Sequence, residues 1–189
     1  MKKTLVALGL AAATLLPTMA SADGYVIDTK GAHASINFKV PHLGYSFIKG
    51  RFNNFEGEFS YDPAKVTDSS VVVTVDTTSL DSNHAERDKH LRSGDFINAS
   101  KFSSATFKST SVEENSDGTL TINGDLTLHG KTHPISIAAN FIGAGEDPWG
   151  GYRAGFEGTT RIELKDYDIA VMGASSYVDL ELHIEGVRK

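Results

Sequence analysis

Cysteine is absent from the 189-residue chain. Disulfides, thiolate metal sites, iron–sulfur clusters and cysteine nucleophiles are therefore excluded. A basic excess is missing too, since 18 Lys and Arg face 24 Asp and Glu, for a formal net charge of −6. That balance argues against nucleic acid, whose phosphates require clustered cations. Past the first residues, no uncharged apolar run approaches the roughly 20 residues of a membrane-spanning helix. Linkers, low-complexity tracts and internal repeats are lacking, which reads as a single domain. The nucleophile elbow Gly-x-Ser-x-Gly does not occur. The chain is 40% hydrophobic, too apolar for a disordered protein.

Residues 1–22 read as a cleaved secretory signal. Lys2 and Lys3 form a basic start, Thr4 to Leu16 is an uncharged apolar run, and Pro17 ends it. Ala20-Ser21-Ala22 then offers a small-x-small cleavage site. Cleavage removes both lysines and leaves Asp23 to Lys189 as an exported, more acidic domain. A compact leader of this kind fits the bacterial periplasm.

The mature chain is dominated by a period of two. Ala34, Ile36, Phe38 and Val40 alternate with polar residues, as do Leu120, Ile122, Gly124, Leu126 and Leu128. Ala154, Phe156, Gly158, Thr160, Ile162 and Leu164 repeat the pattern, and Val178, Leu180, Leu182 and Ile184 close it. Each run predicts a strand with one dry face and one wet face. Val71 to Val75 and Ile135 to Phe141 are more evenly apolar strands. In Gly50 to Tyr61 the aromatic phase slips by one between Phe52 and Phe55, which predicts a bulge or bend at Asn53-Asn54. Turn residues separate the runs, as in Tyr61-Asp62-Pro63, His129-Gly130-Lys131 and Asp147-Pro148-Trp149-Gly150-Gly151. The sum is an all-β domain, a single eight-stranded antiparallel β-barrel. Trp149 is expected to plug one end of it.

One segment departs from this pattern. Ser82 to Gly94 predicts a short helix, capped by Asn83 with Glu86 as its partner and ended by Gly94. Glu86 is spaced to meet Lys89 and His90, and Asp88 to meet Arg92. Only Ala85 and Leu91 are apolar, so the helix is expected to cover one end of the barrel rather than to be buried.

Eight strands enclose space for packed side chains or for one ligand. The inward sets hold small residues at Ala34, Gly124, Ala139, Ala154, Gly158 and Thr160, beside Phe38, Phe52, Phe141 and Phe156. Two readings stay open: the small residues bend the barrel, or they leave room for a long apolar chain. The side chains expected to line such a tube are Phe38, Val40, Phe52, Val73, Val75, Leu126, Phe141, Phe156 and Ile162. His84, Arg87 and Asp76 are the candidates for a ligand head group at the mouth. Arg87 has an alternative role, pairing with a carboxylate to pin the helix. No catalytic residue and no metal site is assigned. His129 and His133 flank a turn, but a metal needs three or four converging ligands.

Several motifs resemble a known family. They are Phe38-x-Val40-x-His42-x-Gly44, Gly50-x-Phe52-x-x-Phe55-x-Gly57 and His84-Ala85-Glu86-Arg87-Asp88-x-His90-Leu91-Arg92-Ser93-x-Asp95-Phe96. Lys101-Phe102, Thr106-Phe107, Gly124 to Leu128 and Asp147-Pro148-Trp149-Gly150-Gly151-x-Arg153-Ala154-Gly155-Phe156-Glu157 continue the match. Together they resemble the YceI family of bacterial periplasmic proteins, from about Tyr25 to Val187. Ser103 stands where that family usually has Pro. The resemblance implies a lipocalin-like β-barrel holding a polyisoprenoid chain of polyprenyl or isoprenoid-quinone type. It further implies periplasmic location, a homodimer, no cofactor other than the bound isoprenoid lipid, and no enzymatic activity. A carrier of this kind needs transient contact with a membrane or partner protein for loading. The rival expectation is a periplasmic enzyme acting on an amphiphilic lipid, with His42 or His84 as acid/base.

Overall fold

The computed structural model describes residues 22–170, 173 and 175–189. Most of the expected leader, residues 1–21, lies outside the described residues. The chain forms one antiparallel sheet of eleven strand segments, ordered β1-β4-β5-β7-β8-β9-β10-β11-β2-β3-β6, with β1 also pairing β11. The segments are β1 (Asp23–Ile27), β2 (Ser35–His42), β3 (Ser46–Phe52), β4 (Phe55–Tyr61), β5 (Ser70–Asp76), β6 (Leu80–Asp81), β7 (Ser104–Glu114), β8 (Leu120–Leu128), β9 (Lys131–Glu146), β10 (Tyr152–Glu163) and β11 (Tyr177–Arg188).

The pairings reduce these eleven segments to eight barrel strands. β11 pairs β2 through Asp179 to His183 and β1 through Gly186 to Arg188, so β1 and β2 are two halves of one strand. β3 and β4 are likewise halves, split at Asn53-Asn54 where the aromatic phase slips. Ser79 bridges that split, its carbonyl accepting from the Asn53 N–H and its hydroxyl from the Asn54 N–H. β5 and β6 form the third broken strand. The β1–β11 ladder closes the sheet, so the barrel has no long free edge and holds without a disulfide.

Each end has its own plug. At the end where Asp23 and Lys189 lie, five rings pack together. Tyr25 stacks on Phe59 at 4.8 Å, and Phe156 meets Phe59, Tyr61 and Phe141 at 5.0–5.5 Å. At the opposite end, Leu164, Tyr167 and Ile169 follow β10 and bury themselves with Ile162, packing against Ile97, Leu128 and Leu180. Helix α1 (Ala85–Leu91) belongs to the connection between β6 and β7 at this same end.

The helix differs in detail from the expectation. Its N-cap is His84, whose Nδ1 accepts from the Arg87 N–H at 3.3 Å. Asn83 instead takes a left-handed φ of 63° in a turn closed by the Asp81 carboxylate. Gly94 does not end the helix, whose C-cap is Arg92. Glu86 makes no ion pair among the described residues, and His90 reaches Asp95 at 3.4 Å. Arg92 donates to the Leu80 carbonyl at 2.6 Å. Trp149 plugs nothing: it is 77% exposed, and Arg153 lies over its ring at 5.7 Å.

Candidate functional site: an apolar cavity inside the barrel

Between the two plugs lies a cavity of about 130 Å³. Val71, Val73 and Val75 line it from β5, Ala105 and Phe107 from β7, Ile122 and Leu126 from β8, Ile135, Ile137 and Ala139 from β9. Phe156, Gly158 and Thr160 come from β10, and Leu180, Leu182 and Ile184 from β11. The alternation of each strand turns these residues inward and sends Lys108, Asp125 and Glu181 out. Among the described lining residues there is no histidine. Glu157 is the one ionisable residue, and it lies at the surface, where it accepts from the Asn140 amide at 3.1 Å. The only described hydroxyls in the lining belong to Thr106 and Thr160, and Thr160 already donates to the Ser136 carbonyl at 2.8 Å.

The residues expected to line a tube fall into three groups. Val73, Val75, Leu126 and Phe156 border the cavity. Phe38 is buried against Phe52, ring centroids 5.9 Å apart, and Val40 follows it toward the hairpin; these three lie outside the lining. Ile162 belongs to the plug beside Tyr167. Phe141 keeps its inward phase opposite Phe156 but belongs to the aromatic plug, 5.1 Å from Tyr61 and 39% exposed, outside the cavity lining.

The inward glycines have a specific role. Gly124 does not stand empty: the Phe107 ring lies over it, and it pairs with Ser109 at the edge of a bulge in β7. A Cβ there would stand 2.5 Å from that ring and 2.5 Å from the Lys108 carbonyl. Gly158 does border the cavity, and the nearest atom to a Cβ there would be the Ile137 methyl at 3.0 Å.

The three head-group candidates are occupied with local structure. Asp76 caps the following turn, accepting from the Thr78 N–H at 2.9 Å and its hydroxyl at 2.6 Å, which lowers its pKa. His84 is exposed and caps α1. Arg87 does pin the helix, but through Ser82 and not through a carboxylate. Its Nε donates to the Ser82 hydroxyl at 2.7 Å, and its Nη2 to the Ser82 carbonyl. Ser82 in turn donates from its N–H to Asp88 at 2.8 Å. Burial pushes the Asp88 carboxyl up, and the Ser82 hydrogen bonds outweigh it, so the net pKa is lowered. Of these groups only His84 and Asp88 line an open polar groove of about 610 Å³ outside the barrel, with Asn53, Thr78 and Arg92. Its polar atoms are largely bonded to one another, and it offers no dry surface to an apolar chain.

One charged cluster was missed by the sequence reading. Arg153 reaches Asp28 at 2.7 Å, Asp147 at 2.7 Å and Glu185 at 2.6 Å. The Arg153 side chain, followed by the Gly31 N–H and His33, holds the Asp28 carboxyl well below the usual carboxylate range. Asp28, His33 and Glu185 converge as metal ligands would. The guanidinium already supplies the cation there, touching both carboxylates. The Asp147-x-x-x-Gly-x-Arg153 spacing hinted at one of these bonds; the others need the β10–β11 register. His129 and His133 are turned to Tyr167, His129 Nδ1 at 2.8 Å from its carbonyl and the His133 ring against its ring at 5.3 Å.

A closed eight-stranded antiparallel barrel with plugged ends and a dry interior defines a lipocalin-like binding fold. The YceI-like domain model matches residues 25–186, and the chain belongs to this family. It is 73% identical to a UPF0312 protein of Vibrio cholerae over the whole of both chains. A Campylobacter jejuni YCEI protein superposes with a TM-score of 0.71 at 26% identity, over 80% of this chain and 91% of that one. A polyisoprenoid binding domain from Saccharophagus degradans shares the fold, with a TM-score of 0.63 at 14% identity, over 87% of this chain and 98% of that one.

Proposed function

We propose that the protein is a non-enzymatic periplasmic carrier that holds a long-chain isoprenoid lipid inside the barrel. The observation that carries this reading is the cavity, whose lining is aliphatic and aromatic with no acid/base pair among the described residues. The polyisoprenoid binding described for the Saccharophagus degradans domain supports the choice of ligand. Each buried CH₂ contributes about 0.8 kcal/mol against water, so a long chain is held firmly once inside. The membrane offers the same apolar environment, so the carrier exchanges its lipid at a bilayer or partner rather than by release into water.

At about 130 Å³ the cavity is smaller than the roughly 300–1,000 Å³ of ordinary ligand pockets. A long chain therefore enters only if lining side chains turn. Phe107 and Phe156 are the largest of them, and both flank the empty space. A polyprenyl alcohol, an isoprenoid quinone and a C16 fatty acid, each mixed with purified protein and passed over a gel-filtration column, test the reading. Stoichiometric retention of the isoprenoids is expected. Retention of none, or of the fatty acid alone, contradicts it. His42 and His84, the acid/base candidates of the enzymatic alternative, both lie exposed outside the apolar cavity.

A further inference from the structure

The β2–β3 hairpin, at the same end as α1, ends in a patch that neither packing nor backbone geometry requires. Leu43 is 60% exposed, Tyr45 90% and Phe47 55%. The Tyr45 N–H donates to the His42 carbonyl at 3.0 Å, with φ 52° at Leu43 and 78° at Gly44. Both central residues thus have positive φ, as in a type I′ turn, whose first position favours Asn or Gly. A leucine there is strained by its Cβ and exposed to water at once. Another turn of this geometry among the described residues, His129-Gly130, has φ 51° and 74°. There the side chain earns its place by packing on Phe102 at 4.6 Å and bonding the Tyr167 carbonyl. Leu43 has no such partner within the described barrel.

Charge points the same way. From Ser35 to Asn54 the chain contains no Asp or Glu, in a protein whose acids outnumber its bases. Lys39 and Lys49 stand directly opposite each other across β2 and β3, a destabilising like-charge pair. Lys39 lies over the Phe47 ring at 5.0 Å and reaches Asp179 at 3.7 Å. Asp179 is also held by Arg161, and Arg51 faces Asp81 across β3 and β6. Lys49 has no carboxylate partner among the described residues.

We infer that this hairpin is the face by which the protein docks on a bilayer bearing anionic head groups. Leu43, Tyr45 and Phe47 enter the interface while Lys49 and Lys39 meet lipid phosphates. A second copy of the chain is a poorer occupant. Three side chains at a convex tip fall short of the roughly 1,200 Å² of a stable interface, and two copies would oppose their lysines. The inference deepens the carrier reading, since docking places the barrel where its lipid is exchanged.

Flotation with phosphatidylcholine vesicles, with and without phosphatidylglycerol, tests it on protein purified from its producing cells. Wild type is expected to bind the anionic vesicles more tightly, with an affinity that falls as salt rises. Leu43→Asn should lower that affinity about tenfold. The same variant should keep or raise the melting temperature, because Asn suits the turn; a purely structural role for Leu43 would lower it. Lys49→Glu should weaken binding to anionic vesicles only. Equal vesicle binding by wild type and Leu43→Asn overturns the inference. So does a concentration-dependent dimer in sedimentation that Leu43→Asn abolishes. Isoprenoid retention is measured on the same samples. Vesicle binding that depends on Leu43 without retained isoprenoid upholds the docking face and overturns the carrier reading.

Discussion

Gly124→Ala is the sharpest perturbation of the interior. The added Cβ would lie 2.5 Å from Phe107 Cζ, 2.7 Å from Phe107 Cε2 and 2.5 Å from the Lys108 carbonyl. The ring can swing aside, but the carbonyl is fixed in the β7–β8 ladder, where Lys108 pairs with Asp125. Overpacking of this kind costs about 1–3 kcal/mol. The stiffer unfolded chain returns about 0.4–1 kcal/mol. The expected net loss is about 1–2 kcal/mol, a fall of roughly 2–8 °C in melting temperature for a domain of this size. Gly158→Ala is the control, because its Cβ meets a methyl at 3.0 Å and no backbone closer than 3.5 Å. It should melt within about 2 °C of wild type. Differential scanning calorimetry of both variants, with Phe107→Leu and the Phe107→Leu/Gly124→Ala pair, completes a double-mutant cycle. The pair should be less destabilised than the two single changes added together. Equal melting of Gly124→Ala and Gly158→Ala would refute the close approach of ring and glycine.

Three further outcomes follow from the geometry. Asp88→Ala leaves the Ser82 N–H and hydroxyl without their acceptor, at a cost of about 1–3 kcal/mol. Hydrogen exchange should rise over 82–92 while the β8–β11 amides keep their protection. Asp28 and Asp147 both have lowered pKa values in the folded protein, so the stability they contribute is present above the unfolded carboxylate pKa and is lost as pH falls through the folded one. Arg153→Met removes the main cause at Asp28 and a secondary one at Asp147, after the Gly151 N–H, and should move the acid-unfolding midpoint to higher pH in a circular-dichroism titration. Phe156→Asp places an unpaired charge among three rings and should abolish isoprenoid retention in whatever fraction stays folded. Unchanged retention would show that the ligand does not pass Phe156.

Period and phase carried much of the architecture. The alternation in β2, β8, β10 and β11 is visible because each strand has one wet face, and the slip between Phe52 and Phe55 marks the break between β3 and β4. What stayed hidden depends on register. Whether Gly124 is vacant or covered depends on which β7 side chain lies beside it, and only the pairing puts Phe107 there. Phe141 keeps the inward phase that alternation gives it, but only the pairing with Phe156 puts it in the aromatic plug rather than in the cavity. The Arg153 cluster joins the nearby Asp147 to Asp28 and Glu185, two acids from distant segments that no local spacing connects. Asn83 has the composition of an N-cap, yet the Asp81 carboxylate draws it into a turn and leaves the cap to His84.

The central claim is that the barrel holds an isoprenoid chain. Organic extraction of protein purified from its native host, followed by mass spectrometry of the extract, tests it most directly. The account predicts one isoprenoid lipid per protein chain, recovered from wild type and missing from folded Phe156→Asp. An extract without stoichiometric lipid, from a wild-type barrel whose interior is filled by its own side chains, would contradict it.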